Sequence, residues 1–442
     1  MKPSAAVKPS ASVKPLAPRL AEVVEGYLGG MPVRLRAWDG SEAGPEAAPT
    51  VVLRSPRALR RLLWQPGELG LAQAYIAGDL DIEGDLTTGL SAVWRAVRDR
   101  GPGPHRKVPH RRLAAALTAL RCGAIGPRPP APGARQARLR GRPHTTDRDR
   151  AAISHHYDLS NDWYALLLDE SMAYSCAYWT RPDDPHYGLA EAQHDKLELI
   201  CRKLALAPGT RLLDVGCGWG SLSLHAAQHF GARVTAVTLS REQRDFVAAR
   251  VRERGLDDLV KVHLRHYRDI TGADYDAVCA IEMGEHVGAA QYPAFAGRLH
   301  SLLRPGGRLL VQQMSRTGTA PGGGAFIESY IAPDMHMRPL GDTVSLLENA
   351  GLDVWAVESL REHYVRTIAA WYATLEGRWA DFVALAGVET ARVWRLYLAG
   401  GGLAFAERRM GVDQILAVRP GTDDVASMPA TLHDWYRPRE TR

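Results

Sequence analysis

Asp214, Gly216, Gly218 and Gly220 stand at alternate positions in Leu213-Asp-Val-Gly-Cys-Gly-Trp-Gly220, between an apolar run and a helical pattern over 221–229. A buried strand that breaks into such a turn and re-enters as a helix offers backbone N–H groups and a helix N-terminus to a ligand at close range. The G-x-G-x-G spacing differs from the dinucleotide G-x-G-x-x-G and more often cradles the amino-acid part of S-adenosylmethionine (SAM); taken alone it also fits an ordinary tight βα turn. Further along, Thr238-Leu239-Ser240 and Gln243 end a second apolar run. Many nucleotide-binding sheets carry an acid there, whereas these hydroxyls and this amide suit a neutral ribose or adenine edge. Ser240 also reads as a helix N-cap. Tyr267 and Arg268 follow a third run, where an aromatic ring can pack on adenine. A fourth run leads into Ile281-Glu-Met-Gly-Glu-His-Val-Gly288, which puts Glu282 beside the cofactor and Glu285 and His286 at the mouth of the crevice.

The elements that must position these residues are strands at 211–215, 233–239, 261–264, 277–281 and 307–313, alternating with helices at 221–229, 241–254 and 292–303. Such alternation predicts a parallel sheet with right-handed crossovers and a ligand at the carboxyl edge of its strands. Residues 341–410 read as mainly helical, with one strand near 352–357, and the tail 421–442 has little core-forming pattern. Upstream, 16–97 reads as a small α+β domain: alternation at Val33, Leu35 and Ala37, a strand at 51–53, a helix from Ser55-Pro56, then helix, turn and strand over 69–84. Asp79, Asp81 and Glu83 alternate with Leu80 and Ile82, the pattern of a solvated strand face rather than a metal cluster. Residues 1–15 repeat a Lys-Pro-Ser-Ala theme typical of a disordered tail. Residues 98–150 form a linker rich in arginine and proline, with one amphipathic piece at 113–120.

A chain of 442 residues with net charge +6 and pI near 9.1 has room for two domains and a basic patch. The basic linker suits anionic lipid headgroups as well as a plain tether. It lacks the interleaved aromatics that stack bases, so no nucleic-acid partner is expected. Cys122, Cys176, Cys201, Cys217 and Cys279 are scattered and odd in number, which argues against a disulfide framework or structural zinc and for a reducing cytoplasm. No apolar run is long enough to span a membrane. The expected protein is cytoplasmic and at most peripheral to the membrane.

The chain resembles the cyclopropane-fatty-acyl-phospholipid synthase family, including its mycolic-acid cyclopropane synthase branch. The likeness rests on His156-Tyr-Asp-Leu-Ser160, Tyr174-Ser-Cys-Ala-Tyr-Trp179, the glycine turn, Thr238-Leu-Ser-x-x-Gln243, Glu285-His-Val-Gly288 and His363-Tyr364, in family order over about 155–420. The N-terminal domain resembles that of the family's long forms and is a candidate for mediating a homodimer. The resemblance implies an α/β fold: a Rossmann-like SAM-dependent methyltransferase domain over 151–420 with a helical acyl-binding cover, no metal, and the small α+β domain in front. Tyr157, Tyr174 and Ser175 are expected to line the SAM site, and Trp371, Trp394 and Tyr397 to lie in the cover.

The activity implied is transfer of a methylene from SAM to a cis double bond of an unsaturated phospholipid acyl chain. The sulfonium methyl adds to the alkene, and the carbocation left behind closes a cyclopropane by losing a proton from the new methyl. That chemistry requires a dry apolar tunnel and a base, which in this family is a bound bicarbonate. The family holds it with a cysteine backbone, a glutamate, a histidine, an isoleucine backbone and a tyrosine. Cys176, Glu285 and Tyr364 match; the histidine position falls on Gln312, which cannot be protonated, and the isoleucine on Met314. Met335 and Met337 depart from the family's Tyr-Ile-Phe-Pro-Gly-Gly, as core packing or as a reshaped tunnel. The transfer needs no covalent enzyme intermediate, so Cys176 is expected to act sterically and through its backbone. Rival readings are a methylene- or methyl-branched product, a methyltransferase for small molecules or nucleic acid, and a lipid-binding module that keeps SAM as a structural ligand.

Overall fold

The computed structural model describes residues 15–99, 122–134, 136–137, 139, 141–157, 159–272, 274–317, 322–421 and 428–436. The expected tail at 1–14, the apolar piece at 113–120, the side chain of Tyr157 and most of the tail beyond 421 lie outside the described residues. The chain divides into two units, Met1–Ala134 and Arg135–Arg442, so the boundary falls within the segment expected to be a linker.

In the first unit, α1 (Leu16–Leu28) precedes β1 (Arg34–Arg36), β2 (Glu42–Ala43) and β3 (Thr50–Leu53); α2 (Pro56–Trp64) and α3 (Glu68–Ile76) lead to β4 (Leu80–Glu83) and α4 (Leu86–Asp99). The strands lie in the order β2-β1-β3-β4. Ser55 caps α2 by accepting from the Arg57 N–H. The acids of β4 are ion-paired: Asp81 with Arg54 at 2.7 Å, Glu83 with Arg36 at 2.6 Å. Asp79 departs from the solvated-face reading, since it is buried and takes Arg61 at 2.8 Å and Arg57 at 2.9 Å. The proline-rich stretch is docked rather than loose here. Arg61 Nη1 donates to the Pro130 carbonyl (2.8 Å) and Trp64 Nε1 to that of Gly126 (3.0 Å).

The second unit opens with α5 (Thr146–Tyr157), α6 (Asn161–Leu167) and α7 (Leu189–Lys203). Its sheet contains β5 (Arg211–Val215), β6 (Arg233–Thr238), β7 (Val260–Leu264), β8 (Tyr275–Ile281), β9 (Leu303–Ser315), β10 (Asp353–Ser359) and β11 (Gly411–Val418). They run in the order β10-β11-β9-β8-β5-β6-β7. The five from β5 to β9 are parallel, and β11 and β10 join antiparallel. The connecting helices α8 (Ser221–Phe230), α9 (Arg241–Glu253), α10 (Tyr292–Leu302), α11 (Ala325–Tyr330) and α12 (Leu340–Asn349) precede the cover helices α13 (Arg361–Gly377) and α14 (Trp379–Ala406).

Because both faces of the parallel strands are covered, their sequences are near-continuous apolar runs. Adjacent residues enter opposite cores. Leu212 and Ala236 pack with Ile200, Leu224 and Val247 on one face, while Leu213 and Val237 pack with Phe295, Leu299 and Leu347 on the other. β11 was not expected, since buried Asp413 and Gln414 interrupt its apolar pattern. The strand order reverses between β5, which leads on to β6, and β8, opening a ligand crevice there.

Candidate active site

The turn after β5 is built by left-handed backbone. Gly216 has φ +82° and its missing Cβ would stand 2.9 Å from Met283; Gly220 has φ +82° and would meet Val247 at 2.9 Å. Asp214 is buried at the strand end and accepts from Ser223 Oγ of α8 at 2.6 Å. At the end of β6, Thr238 Oγ1 donates to Gln243 Oε1 (2.7 Å), and Ser240 caps α9 by accepting from the Gln243 N–H (3.2 Å). Gln243 Nε2 is buried with no hydrogen-bond partner among the described residues. An orphaned donor facing a cavity is what a bound hydroxyl or ring nitrogen satisfies.

One pocket gathers Tyr174, Ser175, Asp214, Gly216, Gly218, Thr238, Leu239, Gln243, Tyr267, Arg268, Glu282 and His286. Gly220 and Ser240 shape it from behind as helix caps. His286 is neutral, its pKa pushed down to about 4 by burial. Lys196 of α7, which sequence reasoning missed, also lines the pocket: it is buried and its Nζ donates to Ser175 Oγ at 2.9 Å. Burial lowers its pKa, while Glu282, Asp169 and Asp214 act to keep it charged. Its only signal was a lysine amid the apolar positions of α7. These residues fit SAM: a cation for its carboxylate, close backbone approach at the turn, and a free amide donor at the β6 edge.

The chemistry end of the crevice differs from expectation. Three of the positions that the resemblance assigns to bicarbonate, Cys176, Gln312 and Tyr364, converge on a side chain of the protein, Glu282. Its Oε1 accepts from the Cys176 N–H (2.7 Å) and Gln312 Nε2 (2.9 Å), and its Oε2 from the Tyr364 hydroxyl (2.7 Å). Glu282 reaches them from left-handed backbone, φ +50°, a conformation that costs a non-glycine residue roughly 1–2 kcal/mol. Glu285, expected to be part of this set, lies outside it. It is buried, neither carboxylate oxygen has a well-formed hydrogen bond among the described residues, and burial and the Glu282 charge drive its pKa well up. Burial raises Glu282 as well, but its three donors and Lys196 favour the ionised form. Both carboxyls are pushed up, Glu285 further than Glu282, so negative charge on the pair is favoured on Glu282, which has the donors.

A buried polar chain fixes which way Gln312 points. Lys203 Nζ has only protons to give and donates to Gln414 Oε1 (2.7 Å) and Glu358 Oε2 (2.5 Å). Gln414 Nε2 then donates to Gln312 Oε1 (2.9 Å), leaving Gln312 Nε2 for Glu282. Cys176 is a buried thiol with its pKa raised well up by burial, so it is no nucleophile. None of the five cysteines is joined in a disulfide.

Over Glu282 lies an aromatic cluster from the cover. Tyr174 packs on Trp371 (5.3 Å) and Trp394 (6.1 Å), and its hydroxyl meets that of Tyr397 at 3.1 Å; Tyr364 packs on Trp371 (6.1 Å) and Phe405 (4.6 Å). Met335 and Met337 are buried.

A sequence profile of the family described as mycolic acid cyclopropane synthetase matches residues 144–415. The chain belongs to this family. A probable fatty acid methyltransferase of Mycobacterium tuberculosis, Rv3720, is 37% identical over 95% of this chain and 98% of its own. The cyclopropane-fatty-acyl-phospholipid synthase of Escherichia coli is 30% identical over 83% of this chain and 87% of its own. Among solved structures, mycolic acid cyclopropane synthase CmaA1 complexed with SAH and CTAB is 30% identical, has a TM-score of 0.57, and covers 63% of this chain and 99% of that one. Membership in the mycolic acid cyclopropane synthetase family makes this chain a SAM-dependent methyltransferase of the group that makes cyclopropane and methyl-branched fatty acids. No helix among the described residues is long and apolar enough to cross a membrane.

Proposed function

We propose that the protein transfers one carbon from SAM to a cis double bond of an unsaturated phospholipid acyl chain, with Glu282 as the resident base in place of bicarbonate. The observation that carries this reading is a carboxylate held by Cys176, Gln312 and Tyr364 at the junction of the cofactor pocket and the aromatic cluster. SAM supplies an electrophilic methyl on a sulfonium. The alkene's electron pair bonds to that methyl, S-adenosylhomocysteine leaves, and a cation remains on the acyl chain. Aromatic faces of Tyr174 and Trp371 stabilise positive charge, and the buried cover keeps out the water that would trap it. The Glu282 carboxylate takes one proton from the transferred carbon, and the freed pair closes a cyclopropane. The acid and the neutral product balance the charge that the sulfonium brought in.

A second outcome shares every residue. If a hydride shifts between the two former alkene carbons before the proton leaves, the same base gives a methylene branch. The name of Rv3720, a probable fatty acid methyltransferase, favours this outcome. Phospholipid chains in a bilayer as substrate imply contact with an anionic membrane face on the cytoplasmic side. The test is incubation with SAM and vesicles of monounsaturated phospholipid, followed by mass spectrometry and proton NMR. One added CH2 with upfield ring protons supports the cyclopropane; the same mass with vinylic protons supports the branch. Bound SAM with no lipid product contradicts the proposal.

A further inference from the structure

Outside the cofactor pocket, α7 and α8 bring together residues to which the reaction assigns no role. His194 and Glu198 are four apart on α7; His225 and His229 are four apart on α8. Residues four apart share a helix face, so two such pairs on packed helices face each other across the contact. One ligand atom each of His194, Glu198 and His225 falls within 4.8 Å of the other two. Glu198 Oε1 stands 3.1 Å from His225 Nε2, and the rings of His194 and His225 are 5.2 Å apart. His229 packs against His225 at 4.5 Å.

We propose that His194, Glu198 and His225 form a binding site for a divalent cation of the zinc type that clips α7 to α8. Two imidazoles and a carboxylate are a donor set that zinc accepts at about 2.0–2.2 Å, with a fourth position for water or another imidazole. The surroundings orient the donors. Arg202 Nη2 holds Glu198 Oε2 at 3.0 Å while Oε1 lies 3.1 Å from His225 Nε2, and the Asp195 carboxylate lies 3.8 Å from His194 Nδ1. His194 is exposed, giving the cation an entry, while Glu198 and His225 are buried. The clip joins α7 to the helix that begins at the glycine turn, so occupancy stabilises the fold around the cofactor site without sharing any residue lining that pocket.

The test uses the tag-free full chain, stripped with EDTA and titrated with zinc chloride by calorimetry and thermal melting. The expected result is one equivalent bound and a Tm rise of roughly 5–10 °C at hundredfold excess over Kd. His194→Ala removes an exposed ligand, leaves the metal-free Tm unchanged and weakens binding at least tenfold, while Asp195→Asn weakens it less. Equal zinc affinity in the parent and in His194→Ala, or no zinc-dependent change in Tm, overturns the proposal.

Discussion

The two ends of the crevice obey different rules. At the β5–β6 end, a ligand is met mainly by backbone, through glycine φ angles and helix caps, with the Gln243 side-chain amide nitrogen, which has no partner among the described residues, added to them. At the β8–β9 end, charge is managed by groups that arrive from distant elements: the backbone N–H of Cys176 before α7 and the side chains of Gln312 on β9, Tyr364 on α13 and Gln414 on β11. The first end specifies what binds and the second decides what happens to a proton. A binding site built from backbone tolerates little change of residue type. A proton site can be rebuilt by moving one carboxylate, and here the Glu282 side chain stands where the family resemblance expects a free anion.

The sharpest way to break that contrast is Glu282→Gln. It keeps the shape, removes the base, and is expected to lower kcat by about 10²–10⁴-fold with SAM affinity unchanged, by rapid-quench and calorimetry. A rate close to the parent's would remove Glu282 from the chemistry. At the opposite end, Gln243→Glu puts an oxygen where the unpartnered amide was. It is expected to raise the SAM Kd roughly tenfold while the rate at saturating SAM holds.

Smaller effects sharpen the proton end. Gln414→Leu lets Gln312 turn over, so a donor to Glu282 is lost. The expected drop in kcat is about tenfold, with the acid limb of the pH profile moved upward, because losing a donor raises a carboxylate's pKa. In the parent, kcat falls as pH drops through a pKa above the ordinary glutamate value, since burial raises Glu282 and only its ionised form accepts a proton. The smallest effect is expected for Glu285→Gln, within about threefold in kcat, because burial and the neighbouring Glu282 favour the neutral form of Glu285 and the amide has nearly its shape. A loss as large as that of Glu282→Gln would return the base's support to Glu285.

The same contrast explains what the sequence made legible. Glycine spacing and apolar alternation are local, so the turn, Thr238, Gln243 and the run of parallel strands alternating with helices can be read directly. Which of two glutamates three residues apart reaches Cys176 depends on one left-handed residue, and spacing does not encode that choice. Spacing and resemblance therefore put Glu282 with the cofactor and Glu285 with the base. Lys196 is not legible from sequence because a lone lysine in a helix ordinarily marks its solvated face, and here that face is closed by Ser175 and the cofactor turn. Gln414 is hidden with its strand, whose polar residues break the apolar pattern yet are buried because Lys203 crosses to meet Gln414 and Ser315 meets Asp413.

The most direct test of the central claim is product formation in buffer freed of carbon dioxide, with and without added bicarbonate, for the parent and for Glu282→Gly. The parent should turn over equally in both. Glu282→Gly, which empties the place between Cys176, Gln312 and Tyr364, should be inactive without bicarbonate and regain rate as bicarbonate is added. A parent enzyme that stops in the carbon-dioxide-free buffer and recovers with bicarbonate would contradict the account, and the base would then be the free anion.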